Sequence, residues 1–338
     1  MTAYTADFYR THRDGARRSA EAVVPIVVEL VQPRSVIDVG CGLGAWLAVF
    51  RQHGIEDIWG VDGPHIERRL LEIAPDRFQP ADLREPIRLP RRFDLVVSVE
   101  VAEHLPPECA ATFVDSLTAL GSVVLFSAAI PHQGGVQHLN EQWPEYWAER
   151  FGRNGYVAID LVRPRIWRDD RVEWWYAQNT LLYVERARVE REPSLRAAYE
   201  ATRLQPLSVV HPRKYLWLID WVHLVRDLRH DLNAVIPPGA QLIFVDDEQV
   251  RDHVCPEALP FLEQSGQYAG PPSDDATALR ELDRLQAGGA TFLAFAQPGF
   301  WWLDHYREFR DHLHARFPCV LANERLVVFD LRGNEPPS

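Results

Sequence analysis

The stretch VIDVGCGLGAW, residues 36–46, decides the fold. Val36, Ile37 and Val39 make a short apolar run that reads as a buried strand, with Asp38 inside it. Gly40, Gly42 and Gly44 follow, and then AWLAVFRQHG, whose apolar residues recur at helical spacing until Gly54 closes the helix. Glycine adopts positive φ and lets a backbone approach a ligand closely. The start of the helix offers free N–H groups. The spacing is GxGxG rather than the GxGxxG of dinucleotide-binding turns. Asp38, just ahead of it, would repel a pyrophosphate and suit a cationic amino-acid ligand.

Working outward, RRSAEAVVPIVVELV (17–31) reads as an amphipathic helix that Pro33 stops. EDIWGVD (56–62) and FDLVVSVE (93–100) are clear strands, with a further strand end in RFQPADL (77–83). SVVLFSA (122–128), VAIDLV (157–162) and NTLLYVER (179–186) follow, with helical segments between strands. Alternation of this kind predicts an α/β, Rossmann-like, doubly wound and mostly parallel sheet. The long Arg- and Trp-rich segment joining the last two strands suits an antiparallel edge pair. Residues 1–188 are assigned to this domain and 189–235 to a helical linker holding KYLWLIDWVHLVRDLRHDL. Residues 236–333 are assigned to a second, smaller α/β domain, with strands in AQLIFVDD and ATFLAFA. There FWWLDHYREFRDHLHARF reads as one helix and CVLANERLVVFDL as a terminal hairpin.

Composition narrows the function. The 338 residues are 46% hydrophobic and include eleven Trp, enough for a core in each half. No run of about eighteen apolar residues exists, so no transmembrane helix is expected. The polar, Arg-rich N-terminus has no secretory h-region, and a cytoplasmic location is expected. The four cysteines (Cys41, Cys109, Cys255, Cys319) are scattered, which argues against a disulfide framework or structural zinc. Forty-eight acids against 36 bases leave a net charge of −12, which repels phosphate backbones. Neither nucleic acid nor a membrane is expected as a partner.

Two further acids accompany the glycine turn. Asp62, in GVDG about twenty residues downstream, stands where an acid can bind ribose hydroxyls. Asp82, in ADL, can meet an adenine amino group. The order VIDVGCGLG, GVDG, ADL and VSVEVAEHL resembles the class I S-adenosylmethionine-dependent methyltransferases over residues 17–185. The resemblance implies that S-adenosyl-L-methionine is the cofactor, with Gly40–Gly44 around its methionine part, Asp62 on the ribose and Asp82 on the adenine. The implied cofactor-binding set is Asp38, Gly40, Cys41, Gly42, Gly44, Trp46, Asp62, Gly63, Asp82, Leu83 and Glu100.

SVEVAEHLP places Glu100, Glu103 and His104 just past the carboxyl end of a strand, the edge of an open parallel sheet where ligands bind. If the chain turns helical there, positions 100, 103 and 104 share one face. Two carboxylates beside an imidazole can do general-base work or hold a hard divalent cation. An alcohol is a poor nucleophile until its proton is removed, and a cation on a vicinal diol would lower its pKa. Glu-x-x-Glu-His also resembles the metal site of small-RNA 2′-O-methyltransferases and of quinone-pathway O-methyltransferases. In the former a further histidine arrives from a later loop. Here SAAIPHQGGVQHLNEQWPEYW supplies His132 and His138, with His138 at the matching place and the loop spacing different. The expected catalytic and metal-binding residues are Glu100, Glu103, His104 and His138, for Mg2+ or another divalent cation. The bland alternative keeps Glu100 and Glu103 solvated and leaves His104 as a lone base. Glu141 and Gln142 are further pocket candidates.

Trp143, Tyr146 and Trp147 recur at helical spacing, and Trp174, Trp175 and Tyr176 are consecutive. Such aromatics stack on sugar rings but more often pack a core, and packing is the expectation, with one Trp left for the site. Trp301, Trp302, Asp304 and His305 are read likewise as a stripe packed on a sheet. The C-terminal module loosely resembles accessory domains of bacterial glycan-handling enzymes. The expected activity is O-methylation of a small hydroxylated acceptor, a sugar or glycan precursor. The rivals are metal-free O- or N-methylation of a natural product with His104 as base, and a non-catalytic scaffold with a vestigial cofactor domain.

Overall fold

Successive strand residues face opposite sides of a sheet, and β1 (Ser35–Val39) is apolar on both. Val36 joins one buried cluster, Ile37 and Val39 the other. A strand buried on both faces needs helices on both, and the computed structural model supplies them. It describes residues 6–247, 249–265 and 267–333. In chain order the first part holds α1 (Ala6–Val31), β1, α2 (Ala45–Gln52), β2 (Asp57–Asp62), β3 (Phe78–Pro80) and β4 (Leu95–Val99). α3 (Ala110–Leu120), β5 (Val123–Ser127), α4 (Pro144–Arg153) and β6 (Tyr156–Ile159) follow. Two short helices, α5 (Arg163–Ile166) and α6 (Trp174–Asn179), precede β7 (Leu181–Glu185).

The seven strands form one sheet in the order β3-β2-β1-β4-β5-β7-β6. β1 pairs in parallel with β2 and β4, and β5 with β4. β7 runs antiparallel to both β5 and β6. The expected Rossmann-like sheet with an antiparallel edge pair is therefore present. On one face, Val23, Val24 and Val27 of α1 and Leu47 and Phe50 of α2 pack with Val36 and Leu95. On the other, Phe113 and Leu117 of α3 and Trp147 and Phe151 of α4 pack with Ile37 and Val96. Trp147 is thus core, as its helical spacing suggested, whereas Trp143 is exposed.

The chain divides into two compact units, Met1–Tyr215 and Leu216–Ser338. Residues beyond 188 continue the first: Leu195 enters its core, and the Thr202 hydroxyl accepts the backbone N–H of Asp160 at 3.0 Å. The helix Pro212–Val235 carries the chain into the second unit. There β8 (Leu242–Val245) lies parallel to β9 (Leu259–Pro260), and a small antiparallel pair follows, β10 (Glu263–Gln264) with β11 (Gln267–Tyr268). β12 (Phe292–Ala296), β13 (Cys319–Ala322) and β14 (Leu326–Asp330) complete a five-stranded sheet in the order β13-β14-β12-β8-β9. β13 and β14 are the expected terminal hairpin. The single helix expected over 300–317 is two, Trp301–His305 and Arg307–Arg316. They part at Tyr306, whose buried hydroxyl donates to the Pro272 carbonyl, and Asp275 caps the second by accepting the Phe309 N–H. Trp302 is fully buried, and Asp247 accepts the indole N–H groups of Trp302 and Trp301 at 3.1 and 2.5 Å. Among the described residues no helix is long and apolar enough to cross a membrane.

The glycine turn is closely packed. Gly40, Gly42 and Gly44 have φ of +85°, +54° and +87°, and Gly40 and Cys41 both donate to the Val61 carbonyl. A Cβ at Gly40 would stand 2.4 Å from Val101, whereas one at Gly42 would meet nothing within 4 Å. Gly42→Ala is therefore expected to cost only the left-handed backbone strain, about 1–2 kcal/mol. Gly40→Ala adds a clash with a buried side chain and should cost clearly more. Urea unfolding of the two variants checks this, and equal losses would show that the Val101 contact is not restrictive.

Candidate active site

The parallel strands β1, β2, β3 and β4 all end at one edge, and the loops after them, with the loop after β5, enclose a cavity of about 990 Å3. That volume suits a ligand of cofactor size. Gly40 and Gly42 line it, then Asp62 and Gly63, Asp82 and Leu83, and Glu100 with Glu103 and His104. The residues that sequence spacing grouped are thus brought to one place by the topology. Asp38, Cys41, Gly44 and Trp46 lie behind this surface. Asp38 is buried in β1, and Trp46 is buried edge-on against Tyr176, with ring centroids 5.4 Å apart.

Asp62 organises the cofactor side. Its Oδ2 accepts the Gly42 N–H and its Oδ1 the Gly63 N–H, each at 2.6 Å. Burial raises its pKa although those amides oppose the shift. Burial pushes Asp38 well above the usual carboxylate range, with Asp62 adding to the effect. A cationic ligand beside Asp62 would offset the cost of burying two acids close together. Asp82 differs: it is exposed and chelated by the Arg84 guanidinium, which with the Arg84 backbone N–H holds it down to about 2. Its carboxylate already has a strong partner.

The acidic and histidine cluster corrects the expected helix face. Glu100 takes φ +54°, and the chain makes a single 3₁₀ turn over Ala102–His104 instead of a helix from residue 100. Glu100 stays next to Glu103, whose pKa it raises, but is held by other partners. Its oxygens accept the side-chain amides of Gln133 at 2.8 Å and Asn179 at 3.1 Å. Gln178 extends this amide network to Gln133 and Asn179, and the Lys214 ammonium donates to the Gln133 carbonyl at 2.8 Å. Glu103, His104 and His138 remain together, with one ligand atom from each within 4.8 Å of the others. Glu103 is buried, and its Oε2 has no hydrogen-bond partner among the described residues. Burial and then the Glu100 charge push its pKa well up. Burial, with His138 nearby, lowers His104 to about 4, so its imidazole is neutral at pH 7.

His138 comes from the loop after β5, as its position suggested, while His132 is exposed and outside the cluster. The His104 and His138 rings meet edge to face at 4.9 Å. Glu141 accepts from His138 Nδ1 at 2.8 Å and also takes the backbone N–H groups of His132 and Gly134. Gln142 bonds to Asn140 instead. Trp174, Trp175 and Tyr176, read as packing, line the cavity. Neither they nor Gln133, Asn179 and Lys214 carry a short-range signal, because they come from three separate places, the loop after β5, the segment before β7 and the helix that starts at Pro212. Consecutive aromatics in a polar segment were the one clue.

A family model described as a methyltransferase domain matches residues 9–201. Among curated proteins, none matches the sequence. Of solved structures, DesVI from Streptomyces venezuelae is 16% identical, with a TM-score of 0.41 over 54% of this chain and 99% of that one. The sugar N-methyltransferase KedS8 from Streptoalloteichus is 19% identical, with a TM-score of 0.42 over 55% and 94%. The methyltransferase domain of a bacterial protein, CtHen1, is 21% identical, with a TM-score of 0.35 over 49% and 97%. The matched model spans more than half of the chain, which therefore belongs to the methyltransferase-domain family as a class I S-adenosylmethionine-dependent enzyme.

Proposed function

We propose that the chain methylates a hydroxyl of a small hydroxylated acceptor, a sugar or glycan precursor, with a divalent cation held by Glu103, His104 and His138. The observation that carries this reading is the orphaned Glu103 Oε2, buried beside two imidazoles in the wall of the cavity that also contains Asp62 and Gly42. An unpaired buried carboxylate oxygen costs several kcal/mol by rough estimate, and a cation is the partner that the two imidazoles could share with it.

The residues fit the family's cofactor. Gly42 leaves open space where any side chain would project, and Asp62, oriented by two amides, keeps lone pairs for ribose hydroxyls. Asp38 and Asp62 would favour the positive sulfonium. S-adenosylmethionine supplies an electrophilic methyl group, and the cation a Lewis acid that lowers the pKa of the acceptor hydroxyl. Glu103, His104 and His138 would hold the cation. Two imidazoles with one carboxylate suit Mn2+ or another transition ion better than Mg2+, which prefers oxygen ligands. Glu100, fixed by Gln133 and Asn179, also lines the cavity. Trp174 and Trp175 offer flat apolar faces to an acceptor ring. The net charge of −12 favours an uncharged sugar over RNA.

A metal-free reading keeps one observation of its own, the neutral imidazole of His104, which can accept a proton. Dialysis against a chelator separates the two. Turnover of radiolabelled S-adenosylmethionine on a panel of monosaccharide acceptors is expected to vanish on metal removal and return with Mn2+. Activity that survives complete removal overturns the metal reading and leaves His104 as base. Glu103→Ala and His104→Ala are each expected to lower turnover by at least about 10²-fold while cofactor affinity stays near wild type. Asp62→Ala is expected to weaken cofactor binding roughly 10- to 100-fold in calorimetry, the worth of one or two charge-assisted hydrogen bonds.

A further inference from the structure

We infer that Glu141 is the positioning residue of the cation site, a carboxylate that sets both the shape of the His138 loop and which nitrogen of His138 faces the cation. The inference rests on the cation reading above and extends it to a residue that touches neither cation nor acceptor.

Three donors converge on Glu141. Its Oε2 accepts the His132 N–H at 2.6 Å, and its Oε1 accepts the Gly134 N–H at 3.1 Å and lies 2.8 Å from His138 Nδ1. The loop it gathers is built from unfavourable conformations. His132 and Gln137 have φ of +63° and +57°, and Gly134 and Gly135 have +77° and +149°. The glycines take these angles freely, whereas His132 and Gln137 cost of order 1–3 kcal/mol each unless their surroundings hold them. Two of the three bonds to Glu141 fall on the residues that begin this excursion. The third falls on the residue that ends it.

The bond to His138 fixes the chemistry. A carboxylate against Nδ1 requires Nδ1 to carry the proton, which leaves the Nε2 lone pair for the cluster with Glu103 and His104. Carboxylate, imidazole and cation in line also make the imidazole a stronger donor. Gly135 completes the arrangement, because a Cβ there would lie 2.3 Å from His138 Nε2. At the other side the loop is tied independently through Gln133, to Glu100, Asn179 and Lys214. Removing the Glu141 charge should therefore alter the aim of His138 without releasing the whole loop.

Glu141→Gln keeps the length and removes the charge. With the amide oxygen in place of Oε2, the His132 N–H keeps its acceptor. The amide N–H in place of Oε1 would then oppose the Gly134 N–H and face Nδ1, favour the wrong tautomer and place a proton on Nε2, while Gln133 still ties the loop. Calorimetric titration with Mn2+ alone is expected to show affinity reduced ~10- to 100-fold in this variant, with S-adenosylmethionine affinity unchanged. Glu141→Asp, too short to span both sets of donors, should also bind Mn2+ weakly. Wild-type Mn2+ affinity in Glu141→Gln overturns the inference and leaves the cation site intact. Joint loss of Mn2+ and S-adenosylmethionine binding also overturns it, by showing that Glu141 only stabilises the fold. A wild-type protein that binds no Mn2+ overturns the cation reading itself and this inference with it.

Discussion

Asp62 joins the end of β2 to the turn after β1 by accepting one backbone N–H from each side, and the remainder of the site is arranged around that clasp. The bonds are short and nearly shielded from water, so each is worth about 2 kcal/mol. They need the glycine turn to present the Gly42 N–H toward β2, which requires positive φ and, at Gly40, no side chain at all. The cost is a buried carboxylate beside a second one, Asp38. A positive ligand relieves that repulsion. The same electrostatic fact explains why this edge suits a sulfonium and why a pyrophosphate would be rejected.

Across the cavity, two polar systems lie side by side and are satisfied differently. The amide network of Gln133, Gln178 and Asn179 satisfies Glu100 with hydrogen bonds inside the protein. Glu103 receives no such bond on Oε2, and His104 is kept neutral by burial. A fully bonded network holds its loops in place, whereas a deficient one invites an external partner. The positive φ of Glu100 ends the strand, and the 3₁₀ turn that follows leaves residues 100 and 103 with different hydrogen bonds although their carboxyl groups stay close.

Aromatic residues serve three purposes in this chain, and their spacing does not distinguish them. Trp147 and Trp302 fill cores. Trp301 and Trp302 donate their indole N–H groups to Asp247 at the end of β8. Trp174 and Trp175 face the cavity. Only burial by elements remote in sequence separates these cases. The helix Pro193–Thr202 makes the same point at a larger scale: its charged sequence reads as linker, yet Leu195 enters the core of the first unit.

The fold was legible because its signals are local. Hydrophobic runs, glycine stops and the order of acids after successive strands are read over ten or twenty residues, and a parallel sheet with crossover helices has few ways to assemble them. The cofactor edge, with Gly42, Asp62 and Leu83 in one wall, follows from that topology alone. The cluster of Glu103, His104 and His138 was half legible. Glu103 and His104 are adjacent in sequence, and His138 could be nominated from a loop, but the bonds that hold Glu100 come from Gln133 and Asn179, remote in sequence. The hold of Glu141 on three donors depends likewise on how a strained loop closes. Sequence determines which groups stand at which strand ends, because strand direction fixes that. The tertiary structure alone decides which buried charges find partners, because hydrogen bonds form between neighbours in space and desolvation depends on everything packed around them.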